Sequence, residues 1–229
     1  MRPYQKAAGG VLSAVREYDI AAGTRILAGQ VVKLVEGLVV AAAKNEAGAI
    51  LGVAAENHLG GADVLNTRAK GTKICVWDAP DAIFACPAPT FTATGGSATT
   101  VTTSTLAAFS NDDFNGGYLK LIAKGEGSKN PDPIGSVKRI TDYAYNSTGT
   151  ISTFTVASGA AACTGDVYAL FPPVTFSKGN LDSDAEKNVL GQKLILSATA
   201  ALPIKVVGRN ENLNEIYVMA KSHVLGVGK

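Results

Sequence analysis

Hydrophobic and polar residues alternate along this chain in short runs, and turn-forming residues cut the runs apart. Residues 31–35 (VVKLV) are β-branched and apolar, Glu36-Gly37 offers a turn, and residues 38–42 resume an apolar run. The stretch KNEAG at 44–48 is a second turn, and residues 49–55 form a third run. Runs this short between turn residues fit a β-meander better than helices. The alanines of 38–44 keep a helix open there. Further on, TKICVWD places Ile74 and Val76 on one face and Cys75 and Trp77 on the other. In ISTFTV, Ile151, Thr153 and Thr155 alternate with Ser152, Phe154 and Val156, the form of a half-buried antiparallel strand. AIFACP, GGYLKLIAKG, GSVKRITDYAY, GDVYALFPP, QKLILSA, LPIKVVG and NEIYVMAKSHVLG predict further strands, and YNSTGT a turn. One helix start stands out: Ser183-Asp184-Ala185-Glu186 is a capping box and Gly191 a stop, which predicts a helix of about two turns.

The pattern predicts a mainly β fold with few short helices. Residues 1–19 read as an N-terminal arm and 20–88 as a small SH3-like β-barrel. Residues 89–175 form a second antiparallel β domain, inserted or appended. Residues 176–229 are C-terminal strands that would complete the first barrel if the middle unit is an insertion. Between Ala82 and Asn111 there is no Asp, Glu, Lys or Arg, and Thr, Ser and Ala dominate. A flexible linker is one reading of that stretch. The strand preference of Thr, and a Gly95-Gly96 pair suited to a hairpin turn, favour β-structure instead.

Composition narrows the function. Charged residues make up only 17% of the chain, against about 25% in ordinary soluble domains, so part of the surface is expected to be covered by partners. Lys and Arg total 21 against 19 acids, a balance that gives no basic footprint for nucleic acid. Lys33, Glu36, Lys44 and Glu46 interrupt the apolar opening segment, and no apolar run approaches the roughly 18 residues of a membrane span. The N-terminus lacks the apolar core of a signal peptide. Cys75, Cys86 and Cys163 have no CxxC spacing and read as reduced, buried thiols.

Candidate chemistry is thin. His58 and His223 are the two histidines, too few and too far apart for a zinc set, and both read as surface or interface residues. There is no G-x-S-x-G elbow. GEGSKNPDP lacks G-K-[ST] and reads as a tight, exposed loop. NDDFNGG matches the first half of a calcium loop through Asn111, Asp113, Asn115 and Gly116, but Ile122 stands where the bidentate Glu belongs. NLDSDAE supplies Asn180, Asp182, Asp184 and Glu186 without the glycine such a loop needs. Turn and capping chemistry explain both clusters. No catalytic residue, metal or cofactor is assigned, and the chain does not read as an enzyme. A carbohydrate- or receptor-binding module would need exposed aromatics, for which Tyr143 and Tyr145 are the candidates.

The cadence of three stretches, ILAGQV at 26–31, GLVVA at 37–41 and ILGVAAE at 50–56, resembles that of small β-barrel capsid decoration, or cement, proteins of tailed bacteriophages. The resemblance covers residues 20–88 in pattern. It implies a structural protein that binds the outside of an icosahedral capsid as a trimer or dimer, with the major capsid protein as partner. It would be made in the host cytoplasm and reside on the virion surface, with no nucleic acid or membrane contact. A loose arm could order on a neighbour. The expected interface residues are Arg2, Tyr4, Val15 and Tyr18 in the arm, and Phe91, Thr92, Val101 and Phe109 in the uncharged stretch. A tail, neck or head-fibre component is the alternative within the virion.

Overall fold

The computed structural model describes residues 2–6, 15–21, 23–43, 48–59, 73–157, 164–177, 179–181, 194–196, 204–221 and 223–225. They are all β, with no helix among them. The helix expected at 183–191, the turn at 44–47 and Cys163 lie outside the described residues. In the first part of the chain the strands are β1 (Arg2–Lys6), β2 (Arg16–Asp19), β3 (Arg25–Ile26), β4 (Val31–Val35), β5 (Leu38–Ala41), β6 (Gly52–Ala54), β7 (His58–Leu59), β8 (Lys73–Trp77) and β9 (Ala82–Pro87). The middle holds β10 (Thr90–Thr92), β11 (Gly95–Ser97), β12 (Thr100–Thr103), β13 (Tyr118–Ala123), β14 (Val137–Asn146), β15 (Ile151–Val156) and β16 (Val167–Phe171). The last are β17 (Gly179–Leu181), β18 (Leu194–Leu196), β19 (Ile204–Asn210) and β20 (Glu215–Ala220).

The N-terminal part contains a five-stranded antiparallel sheet in the order β2-β8-β6-β4-β5, beside the β3-β7 ribbon. Glu36 and Gly37 both take positive φ (52° and 82°), the turn type whose twist matches a two-residue hairpin between β4 and β5. A bridge between Ile20 and Val39 joins the two edges of this sheet and curls it into a small barrel. Val32, Val39, Ile74, Val76, Ile26 and Leu51 fill it. Strand alternation then divides the neighbours: Val31 and Val53 point the other way, into a second core.

That second core lies against a six-stranded sheet in the order β1-β9-β20-β19-β17-β18. The C-terminal strands therefore join residues 20–88 through β9, the last strand of that stretch, and not through the five-stranded sheet. The chain between β9 and β17 forms a separate seven-stranded sheet, β10-β16-β13-β14-β15-β12-β11. Its outermost strands, β10 and β11, are consecutive in the chain, one on β16 and the other on β12. The sheet thus closes on itself as a second barrel. Its interior is aromatic: Phe114 meets Tyr143 edge-on at 4.8 Å between ring centroids and stacks on Phe176 at 5.4 Å, and Phe91 stacks on Phe154 at 5.2 Å. The Gly95-Gly96 pair sits inside β11, and the hairpin turn falls at Ala98-Thr99.

The first nineteen residues are not wholly a loose arm. Residues 2–6 pair with β9, shifting register between Pro3 and Gln5, and residues 16–19 pair with β8. Both sheets offered an unpaired edge, and backbone hydrogen bonding filled it from within the chain.

Candidate interaction surface

In the second barrel, three adjacent strands and half of a fourth present one outward face. The burial of β15 alternates strictly, with Ser152, Phe154 and Val156 inward and Ile151, Thr153 and Thr155 outward. Cross-strand registers extend this into rows. Ser97, Thr100, Thr155 and Asp142 form one row. Gly95, Thr102, Thr153 and Ala144 form the next, and Ile151 with Asn146 a third. Asp142 is the single charged side chain of these rows. The residues are half-buried or exposed, and paired Thr methyls and hydroxyls stabilise the sheet from its outer side. Such a face loses little solvation energy when covered, because it carries almost no charge.

Three of the interface residues expected from sequence are elsewhere. Phe91, Val101 and Phe109 are buried in the barrel's own core, so their apolar surface is already spent within the chain. Thr92 is exposed on β10 and Val15 half-buried. Arg2 and Tyr4 are held at a sheet edge by the pairing of β1. Tyr18 is half-buried and donates its hydroxyl to Asp78. Asp78 is buried and lies 3.4 Å from the Arg16 guanidinium. Partial burial, then the hydrogen bond to Asp78 and its negative charge, push the Tyr18 phenol up to about 12. Tyr143 is fully buried and shares a 2.9 Å hydrogen bond with Ser152. It is thereby removed as a ligand-stacking surface residue, while Tyr145 packs partly against the core.

Other polar groups that looked exposed in the sequence turn out to be pinned. In GEGSKNPDP, Asn130 is buried and donates its amide to Asp166 at 2.8 Å and to the Tyr168 hydroxyl at 3.1 Å. Asp166 also accepts the Gly125 amide at 3.0 Å, so a buried carboxylate organises the loop. Both histidines are buried rather than superficial. His58 Nδ1 lies 3.0 Å from the Thr24 carbonyl, and His223 Nδ1 accepts the Leu225 amide at 3.0 Å. NDDFNGG is a turn in which Asp112 has φ 69° and accepts the Asn115 amide at 2.7 Å, while Asp113 accepts the Ser110 amide at 3.0 Å. It borders a cavity of about 280 Å³ shared with Thr175, Phe176 and Ser177. Among the described residues no three His, Cys, Asp or Glu side chains are grouped to hold a metal ion. Nor is any helix there long and apolar enough to cross a membrane.

Where the β19–β20 hairpin meets the second barrel, Arg209 stacks over the Tyr118 ring at 3.8 Å and pairs with Glu211. Lys120 donates to the Glu211 carbonyl at 2.6 Å. Burial alone would raise the Glu211 carboxyl, but hydrogen bonds from Arg209 and its own backbone, with the charges of Arg209 and Lys120, outweigh it and hold the group below its ordinary value. The chain matches no family model, no curated protein and no solved structure.

Proposed function

We propose that this chain is a structural virion protein that binds the outside of a tailed-phage capsid and stabilises contacts between major capsid subunits. What carries this proposal is the sparsely charged outward face formed by the Thr-rich rows of β15, β12 and β11 with the adjoining part of β14. Strands lie about 4.8 Å apart and outward side chains recur about every 6.8 Å, so each outward position covers about 33 Å² of sheet. Ten positions then give about 330 Å², under half of the roughly 800 Å² per partner in a stable lone interface. A patch of this size suits a protein that binds at many equivalent places at once, where oligomerisation and shell symmetry multiply weak contacts.

Purified particles should contain the chain at a fixed copy number stoichiometric with the major capsid protein. Finding only a few copies per particle would transfer the role to the tail or neck. Shells lacking the protein should lose resistance to heat, and adding it back should restore that resistance.

A further inference from the structure

Residues 223–225 are fastened to the rest of the chain at the seam between the small barrel and the six-stranded sheet. His223 forms a parallel bridge with Ile50, and the Val224 amide donates to the Ile50 carbonyl at 3.0 Å. Ile50 itself packs with Val53, Phe84 and Val218 in the core below. His223 is only 6% exposed. Because Nδ1 accepts the Leu225 amide, the ring proton sits on Nε2, where the Leu51 backbone is the nearby hydrogen-bonding group but falls short of full hydrogen-bond geometry. One nitrogen is thus needed as an acceptor, and the other is a buried donor.

We infer that His223 is an acid-sensitive latch: neutral, it fastens the C-terminal segment at Ile50, and protonated, it releases it. Adding a proton turns Nδ1 into a donor that faces another donor, the Leu225 amide, so that hydrogen bond is lost. The closed turn cannot hold that ring. Burial favours the neutral form; the nearby Leu51 backbone and the Asp78 carboxylate favour the charged one, and burial prevails. Among the described residues Asp78 is the charged group whose field bears on the ring, and Tyr18 and Arg16 of β2 already engage it. On its own segment the neighbouring charge is Lys221, which is exposed.

The test is amide exchange of the full chain, corrected for intrinsic rates, at about pH 7.5 and about pH 4, because burial moves the charging of His223 below histidine's ordinary value of about 6.5. Protection at Val224 and Leu225 should fall at least about fivefold at the lower pH, the factor expected from one lost hydrogen bond. His223→Asn retains an acceptor near the Nδ1 position and does not titrate, so its protection should not change between the two conditions. Equal protection of the wild-type protein at both pH values overturns the latch. So does an equal loss in His223→Asn, which would assign the effect to His58 or a carboxylate. If His223→Asn does not fold, proton resonances of the wild-type ring decide. The His223 titration must coincide with the shift of the Leu225 amide, and independent titration overturns the proposal.

Discussion

At the residue scale, buried polar side chains do the orienting. The Tyr143 hydroxyl and Ser152 satisfy one another inside an aromatic cluster, so Tyr143→Phe should cost about 1 kcal/mol, and up to about 3 kcal/mol if Ser152 is left without a partner. Chemical denaturation of the two proteins reads this directly. Burial pushes the Cys86 thiol up to about 12, while Cys75 is half-buried. An alkylating reagent at neutral pH should therefore modify Cys75 and spare Cys86 until the chain unfolds. The Tyr18 phenol stays protonated in the fold above its ordinary value of about 10. Its stabilising share is complete below that pH and is lost as the pH rises towards about 12. The alkaline limb of a stability–pH curve should shift in Tyr18→Phe. None of these partners was legible in the sequence. His58, Asn130 and Tyr143 read there as surface groups, because what buries them comes from residues far along the chain.

At the element scale, the strands themselves were legible. Alternation in β8 and β15 correctly separated Ile74 and Val76 from Cys75 and Trp77, and Phe154 from Thr153, because a half-buried strand writes its two faces into every second residue. Turn chemistry was less decisive. Gly-Gly suggested a hairpin turn, yet the pair lies within β11, where a flat, small-residue strand packs beside β12. Gly52 shows a glycine required by close approach, since a Cβ there would lie 2.0 Å from the Trp77 carbonyl oxygen on the paired strand. Gly52→Ala should force β6 away from β8 and cost about 3 kcal/mol, measurable as a lowered denaturation midpoint. On the outward face, Thr153 points away from the core beside Thr102. Thr153→Arg should leave the fold intact and, under the proposed function, weaken capsid binding by roughly tenfold or more, by placing a charge where little desolvation is otherwise needed. Unchanged binding in a pelleting assay would exclude this face as the contact.

At the scale of the whole molecule, the second barrel and the open sheet share one core, and the small barrel has its own. Val31 and Val32 are neighbours on β4 but belong to different cores, so neither core can melt without disturbing the same strand. Trp77, packed against the larger core, should report the same unfolding midpoint by fluorescence as circular dichroism reports for the β-structure. Two separated transitions would show that the cores are independent. The sequence suggested a middle unit inserted between paired flanks, but composition could not say which strands those flanks would join. Pairing partners across such distances depend on shape and register, and neither leaves a local trace.

The pairing of β9 with β20 also sets a timetable. Cys86 and its partner Ile216 are 130 residues apart, and ribosomes add about 5–20 residues per second. Strand β9, with Ala82, Ile83, Phe84, Ala85 and Cys86 all destined for burial, therefore waits roughly 7–26 seconds for its neighbour to be made. During that interval β1 can already occupy its opposite edge. Strand β1, made before β9, is thus placed to shield this apolar strand from passing chains, and trimming residues 2–6 should increase aggregation during synthesis more than it lowers the stability of the finished protein.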